Sequence, residues 1–402
     1  MASSVPAAAA ATAAAAGAAP SSAAVPSSIA PKRRASFHPL TVAEVRRLTA
    51  DAVEVTFAVP EALNGCFDYL PGQYVALRTT LDGREVRRSY SICAEPKPGE
   101  IRVAVKRDLG GRFSSWANEH LRAGDVLDVM SPAGGFTSKH PLTGLGRPGE
   151  VDAGHVFAAV AAGSGITPVI AIARTLLAAS ETVRFDLVYA NRAVLDVMFL
   201  EELADLKDRY PSRFALHHVL SREQRISPLL SGRIDAEKLA ALIDSVLPTQ
   251  QVDEWFLCGP FDLVQLCRNT LAERGVDPGK IRSELFSTGQ PGRPEGAAGR
   301  PVVVAPGTDD CSITFRLDGL QGRVASPASA RESILNAALR VRPDVPFACA
   351  GGVCGTCRAK LVSGTVEMDE NYALEPDELE MGYVLTCQSR PTSPDVTVDY
   401  DA

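Results

Sequence analysis

Residues Cys349 to Cys357 read CAGGVCGTC, three thiols and three glycines on one short loop. The spacing is C-x4-C-x2-C, and Cys387 follows after 29 intervening residues. That is the ligand pattern of a 2Fe-2S cluster held by four thiolates, Cys349, Cys354, Cys357 and Cys387. A structural zinc site usually sets two close ligand pairs on either side of a long loop, whereas here three ligands share one turn and the fourth stands alone. Zinc, or thiols without metal, is the alternative. Gly351, Gly352 and Gly355 let the backbone fold tightly and aim N–H groups at the sulfurs. Cys387 ends the strand-like Tyr383-Val384-Leu385-Thr386, which suits delivery of its thiolate from the opposite side.

Working outward, the nine cysteines as a set lack the even spacing of a disulfide framework, so a reducing compartment, the cytoplasm, is expected. With 402 residues the chain is long enough for two or three domains at about 150 residues each. An apolar fraction of 46% with 22% charged residues is that of a globular protein. The net charge of −7 argues against a nucleic-acid partner, whose phosphates need Lys and Arg. No stretch has the pattern of a bilayer span, so no membrane partner is expected. Residues 1–37 are almost only Ala, Ser, Pro and Val up to Ala30, with the basic Lys32, Arg33 and Arg34 after that run instead of before it. The order is wrong for a secretory signal; a disordered tail is expected, an organelle transit peptide being the alternative.

Between Phe37 and Pro141 the pattern is short and strand-like. Val53 to Val59 and Ile101 to Val105 alternate apolar with polar, and Tyr74 to Arg78 follows a Pro-Gly turn. This predicts an antiparallel barrel or sandwich, with one helix from about Ser115 through Trp116 to Leu121. From about Gly154 strands and helices alternate. The strands are expected at 156–161, 185–189, 214–220 and 255–258, and the helices around 168–179, 194–209 and 235–244, which means a parallel α/β sheet. Residues 288–299 are rich in Gly and Pro without periodicity and are expected to be a linker. A third unit follows, with a strand at 311–317, an Asp318-Gly319 turn and a short helix near 333–341.

Two further constellations carry chemistry. Arg88-Ser89-Tyr90-Ser91, with Val105-Lys106 and Gly110-Gly111-Arg112-Phe113-Ser114 downstream, suits a flavin nucleotide. Arg88 can neutralise a diphosphate, Tyr90 can pack on a ring face, and Ser91 can hydrogen-bond near the reacting nitrogen. Gly111, Ser114 and the helix start offer phosphate donors. An ordinary strand and turn is the bland reading. Gly163-Ser164-Gly165-Ile166-Thr167-Pro168 lies directly between a buried strand and a helix, with Pro168 suited to the first helical position, and lacks the third glycine of G-x-G-x-x-G. Arg192, Ser221 and Arg222 sit at later strand ends, suited to a 2′-phosphate or else to solvent. Cys258-Gly259-Pro260 ends the last strand, where Cys258 either touches a nicotinamide or is a core thiol. Cys66, Cys93, Cys267 and Cys311 are expected to be structural, as are the adjacent His217 and His218.

In this order the motifs resemble the ferredoxin–NADP reductase superfamily fused to a C-terminal plant-type ferredoxin domain, over residues 38 to 402. Arg88-Ser89-Tyr90-Ser91 matches the family's flavin motif, Gly163 to Pro168 its pyridine-nucleotide motif, and Cys258-Gly259-Pro260 its nicotinamide-edge motif. Leu187 to Arg192, Val197-Met198-Phe199, Leu220 to Gln224 and Glu284-Leu285-Phe286 look like the reductase components of phenylacetyl-CoA epoxidases, with Ala190 in place of an expected glycine. The reductases of ketosteroid hydroxylases are similar in layout.

The resemblance implies a multidomain fold: an antiparallel β-barrel flavin domain at 38–145, an α/β parallel-sheet nucleotide domain at 146–288, a linker at 289–302, and an α+β β-grasp ferredoxin domain at 303–402. It implies an NADPH-dependent flavin and iron–sulfur oxidoreductase, with FAD and a 2Fe-2S cluster, and NADPH preferred over NADH. Ser91 and Cys258 would be the catalytic residues, and Phe286 would pack at the flavin and gate the nicotinamide. The implied partner is an oxygenase component, the di-iron phenylacetyl-CoA epoxidase of phenylacetate degradation, or alternatively a Rieske-type hydroxylase such as a ketosteroid hydroxylase. No small organic substrate other than NAD(P)H is implied.

Overall fold

A computed structural model describes residues 37–402 apart from 109, 141–153, 248, 288–309, 343–344, 348–351, 353–354, 372 and 375. The expected tail, the expected 145/146 boundary and the expected linker therefore lie outside the described residues, save for Phe37, which opens the first strand.

The first sheet is antiparallel, from β1 (Phe37–Thr49), β2 (Ala52–Ala58), β3 (Tyr74–Leu81), β4 (Arg84–Ser91), β5 (Glu100–Lys106) and β6 (Val126–Met130), with helix α1 (Arg112–Glu119). Its order is β4-β3-β6-β1-β2-β5, and an antiparallel bridge from Ile92, just past β4, to Val103 of β5 closes the edges. Closure removes the unpaired strand rims an open sheet would expose. Val55, Phe57, Val75, Leu77, Val103 and Val105 fill the interior. Asp82 and Gly83, both left-handed (φ 49° and 72°), form the two-residue turn that fixes the β3–β4 register.

The second sheet is wholly parallel, in the order β11-β10-β7-β8-β9. It comprises β7 (Val156–Ala162), β8 (Arg184–Asn191), β9 (Phe214–Leu220), β10 (Glu254–Pro260) and β11 (Ile281–Ser287). Its helices are α2 (Ile166–Ala179), α3 (Leu200–Arg209), α4 (Ala236–Val246) and α5 (Phe261–Glu273). Helices cover both faces, so β7 is an unbroken apolar run. The chain leaves β7 toward β8 on one side and returns to β10 on the other, and that reversal is where open α/β sheets bind ligands.

The third unit is mixed. It holds β12 (Asp310–Leu317), β13 (Leu320–Pro327), α6 (Ile334–Leu339), β14 (Arg358–Ser363), β15 (Val366–Met368), α7 (Pro376–Glu380), β16 (Tyr383–Leu385), β17 (Ser389–Pro391) and β18 (Asp395–Asp399). The sheet order is β13-β12-β18-β14-β16, with β12 and β18 parallel, and α6 packs on it. Among the described residues no helix is long and apolar enough to cross a membrane.

Several boundaries differ from the sequence pattern. Helix α1 starts at Arg112, not after Ser115, because Gly111 in extended backbone serves as its N-cap. The helix expected over 194–209 is a 3-10 turn at Val194–Asp196 and then α3, divided by Phe199 in left-handed backbone (φ 58°). Pro168 is the third residue of α2 instead of the first, still within the turn whose N–H groups have no helical acceptor. Strand β2 alternates in sequence yet buries both faces, Glu54 and Thr56 included. Helix α5 and strand β11 are elements the sequence pattern did not resolve.

Candidate functional site

The register of β3 against β4 sets the flavin motif. Tyr74 pairs with Ser91, Val75 with Tyr90 and Leu77 with Arg88, so Arg88 and Tyr90 share one face while Ser89 and Ser91 share the other. Tyr90 packs on Phe113 with ring centroids 5.6 Å apart, and Phe113 packs in turn on Trp116 at 5.7 Å. Burial pushes the Tyr90 hydroxyl above its ordinary range. Phe113 and Val105 are therefore fully buried supports beneath Tyr90 and the strand. Ser114 Oγ accepts from Asp108 N at 3.1 Å and donates to Gly111 O at 3.2 Å, which closes the loop entering α1. Arg88 donates to the Arg87 carbonyl at 2.7 Å. Ser89 Oγ is enclosed with no hydrogen-bond partner among the described residues, an orphan that a polar flavin atom would satisfy. Ser91 donates to Glu284 Oε2 at 3.3 Å, joining the barrel to β11.

Lys106 and Arg192 are engaged with protein carboxylates. Lys106 Nζ lies 2.9 Å from Asp51 Oδ1, and Arg192 Nη2 lies 3.2 Å from Asp51 Oδ2 and 3.1 Å from Asp196. Burial alone would raise the Asp51 carboxyl, but hydrogen bonds from Lys106 and Thr49 and the nearby Lys106 and Arg192 charges hold it below its ordinary range.

The nucleotide loop forms where β7 ends. Gly163 to Gly165 make a 3-10 turn that runs directly into α2. A Cβ at Gly165 would sit 2.2 Å from the Cys258 carbonyl oxygen, so only glycine lets the end of β10 close against this turn. A Cβ at Gly163 would meet nothing within 4 Å, leaving that backbone open to a ligand. Tyr189 donates its hydroxyl to Gly163 O at 2.9 Å and packs on His218 at 5.9 Å, while Thr167 Oγ1 donates to Ser164 O at 3.0 Å. Cys258 is fully buried; burial and then the Glu284 carboxylate push its thiol well up, so it is a small neutral side chain and no nucleophile. Gly259 follows it against Ala162, and Pro260 ends the strand at the surface. Ser221 N donates to Asn191 O at 2.9 Å and Arg222 N to Arg192 O at 2.7 Å, which joins the two loops and leaves Ser221 and Arg222 exposed beside Arg192. Phe286 belongs to β11; its side chain lies outside the described residues.

At the cluster loop, Cys349 and Cys354 lie outside the described residues. Cys357 and Cys387 are both buried, and Thr386 joins their segments, donating N (3.2 Å) and Oγ1 (2.9 Å) to the Cys357 carbonyl. Gln388 Nε2 lies 3.7 Å from Cys387 Sγ, an N–H donor of the kind that stabilises a metal-bound thiolate. Tyr400 donates to Thr386 Oγ1 at 3.0 Å; its hydroxyl is raised by burial, and the Cys357 and Cys387 sulfurs add to the rise. Buried thiols from two distant segments, with an amide donor on sulfur, fit a cluster held by thiolates.

Glu284 carries no signal of its own in the sequence beyond standing next but one to Phe286. Its hydrogen bond to Ser91, 193 residues away, could not be read from spacing.

Three family descriptions match the chain in order: Oxidoreductase FAD-binding domain at residues 39–138, Oxidoreductase NAD-binding domain at 159–269, and 2Fe-2S iron-sulfur cluster binding domain at 318–392. The chain is 45% identical to one of the subunits of 1,2-phenylacetyl-CoA epoxidase from Escherichia coli K12, covering 91% of this chain and 98% of that protein. It is 33% identical to the ferredoxin reductase component of 3-ketosteroid-9-alpha-monooxygenase from Rhodococcus rhodochrous, covering 90% and 96%. Among solved structures, phthalate dioxygenase reductase shares the fold at a TM-score of 0.53 and 23% identity, covering 90% of this chain and 98% of that one.

Proposed function

The chain belongs to the oxidoreductase family that joins an FAD-binding, an NAD-binding and a 2Fe-2S domain in the reductase components of oxygenases, and from that premise we propose that it draws on NADPH to supply a di-iron phenylacetyl-CoA epoxidase. When bound, FAD takes the two electrons of a hydride together and the cluster accepts them singly.

The observation that carries the reading is a convergence at the reversal of the parallel sheet. Ser91 of the flavin motif reaches Glu284 of β11, and the Gly163–Gly165 turn is closed against Cys258. The residues then have separable tasks. Arg88 offsets diphosphate charge, and Tyr90, braced by Phe113, presents its ring to the flavin. Ser91, held by Glu284, sets a hydroxyl beside the reacting ring. Cys258 and Gly259 give the nicotinamide a small, neutral wall. The open backbone at Gly163, Ser164 and the start of α2 receives pyrophosphate. Ser221 and Arg222 bind the 2′-phosphate, the exposed pair left beside an Arg192 already committed to Asp51 and Asp196. Cys349, Cys354, Cys357 and Cys387 hold the cluster.

The partner reading rests on the near full-length likeness to the Escherichia coli epoxidase component. A second reading, supply of a Rieske-type ketosteroid hydroxylase, rests on the weaker likeness to that reductase. Reconstitution separates them. The purified holoprotein, mixed with each oxygenase and its substrate, is expected to support epoxidation of phenylacetyl-CoA with NADPH well above NADH. Turnover only with the ketosteroid hydroxylase would reverse the partner assignment, and equal use of both nucleotides would remove the phosphate role of Ser221 and Arg222. A preparation without flavin absorption after FAD is supplied would overturn the reading as a whole.

A further inference from the structure

Strand alternation sends Val75 and Leu77 into the barrel interior and Tyr74 and Ala76 to its outer face. On that outer face Tyr74, Ala76 and Met130 form a separate apolar cluster with Phe37 and Ala133, and none of the first three is more than 4% exposed. Arg87 pairs in register with Arg78 and is itself only 4% exposed. Its guanidinium lies over the Phe37 ring at 5.4 Å and over the Phe347 ring at 5.0 Å, and Nη1 donates to the Val345 carbonyl at 3.3 Å. The Tyr74 hydroxyl shares a hydrogen bond of 2.9 Å with Thr356 Oγ1. Phe347 precedes Cys349 by two residues and Thr356 immediately precedes Cys357. The described residues on either side of the cysteine loop, Val345 and Phe347 before it and Thr356 near its end, are thus fastened to the outside of β4, which carries the flavin motif, and of its neighbour β3.

We propose that Arg87, assisted by Tyr74, is the positioning residue that seats the cluster loop on the flavin barrel and thereby sets the flavin-to-cluster step. The proposal rests on the reading of the chain as a flavin and iron–sulfur reductase. A planar guanidinium between two rings, one from each domain, keeps its stacking and its carbonyl acceptor only while the domains are docked. An ammonium cannot reproduce that stack. The step served moves one electron at a time from the flavin reduced by NADPH to the oxidised cluster. Two such transfers, with the cluster giving up its electron to the oxygenase component between them, return the flavin to its oxidised form and release one proton.

The test uses the full-length holoprotein and the variants Arg87→Met, Arg87→Lys and Tyr74→Phe, with two readouts. Hydrogen–deuterium exchange reports the peptides covering Val345 to Phe347 and Thr356, and rapid mixing with NADPH follows flavin and cluster reduction separately. Arg87→Met is expected to raise exchange in those peptides and to slow cluster reduction at least tenfold, with flavin reduction within twofold of the parent. Arg87→Lys should not restore the rate, and Tyr74→Phe should move both readouts the same way by less. Should Arg87→Met fail to fold, Phe347→Leu removes the same stack from the ferredoxin side. Unchanged exchange with unchanged cluster reduction, or a parallel fall in flavin reduction, would overturn the proposal. A parent protein whose cluster is not reduced by NADPH at all would instead overturn the reading on which it rests.

Discussion

The flavin barrel meets its two neighbours in different ways. Toward the nucleotide domain it shares a core: Ala52, Cys93, Ala104 and Phe136 of the barrel side lie in one cluster with Phe157, Ile172 and Phe256. Ion pairs ring that core. Arg46 of β1 bonds both Glu54 and Glu202 of α3, Asp51 holds Arg192, and Ser138 Oγ and Lys139 N donate to Glu254 at 2.6 and 3.1 Å. Toward the ferredoxin domain the contacts described are the Tyr74–Thr356 bond, the Arg87 stack and the Arg87 bond to the Val345 carbonyl, and among the described residues the ferredoxin core is built from its own residues. The contrast follows the chemistry. Hydride transfer needs the donor carbon and the acceptor nitrogen held at about 3–3.5 Å, so that seam must be stiff. Electron transfer forms no bond, so that seat has a distance to keep and no pair of reacting atoms to align.

Removing a cluster ligand should give the largest effect and keep it local. Cys387→Ser is expected to abolish the iron–sulfur absorption and the bound iron, while flavin content and NADPH-driven ferricyanide reduction persist. Concomitant loss of flavin would show that the ferredoxin domain supports the barrel, and would break the comparison. Next comes the shared core. Phe136 is 6% exposed and meets Phe256 edge-on at 5.7 Å, so Phe136→Ala should cost about 3–5 kcal/mol. Calorimetry should show two transitions in the parent, of which only the joint flavin and nucleotide transition moves. One merged transition would mean the second seam is as strong as the first.

Ser91→Ala tests the stiff seam at its reacting end. Loss of one placed donor is expected to slow flavin reduction by NADPH on the order of 10²-fold, without altering the flavin-to-cluster rate measured from prereduced protein. The smallest effect is acid sensitivity. Burial, with Arg225 and His217 adding to it, pushes His218 down to about 4 from 6.5. The unfolded chain therefore takes the proton first, so this contribution is full above about pH 6.5 and falls as pH drops toward 4, with roughly 2 kcal/mol lost by pH 5. All six histidines lie at or before residue 218, so none is in the ferredoxin domain. Between scans at pH 7 and pH 5 the joint flavin and nucleotide transition of the parent should fall relative to that of His218→Gln, with the ferredoxin transition the same in both.

The sequence made the motifs legible because their chemistry is local. Cysteine spacing, a glycine turn between strand and helix, and an Arg-x-Tyr-Ser strand each report on a few neighbouring residues. What crosses domains was illegible. Glu54 and Thr56 occupy polar positions of an alternating strand, which predicts solvent, but both are buried, Glu54 beside Arg46 and Cys93. Arg192 sits where a phosphate ligand belongs, yet Asp51, 141 residues earlier, shares it. Tyr74 and Thr356 are separated by 282 residues, and no periodicity encodes such a pair.

The order of the third sheet bears on how the molecule is made. Strand β18 lies between β12 and β14, so the last strand in the chain is an interior one. The core shared by the flavin and nucleotide domains has all its strands by Ser287, whereas the ferredoxin sheet cannot close before Asp399 has been synthesised. At bacterial or eukaryotic elongation rates that gap of about 110 residues lasts roughly 5–20 s. During that interval the nascent chain holds a folded flavin and nucleotide body ahead of an unfinished cluster domain. Iron delivery must therefore follow translation, and an expression host short of cluster-assembly capacity should accumulate yellow protein before brown.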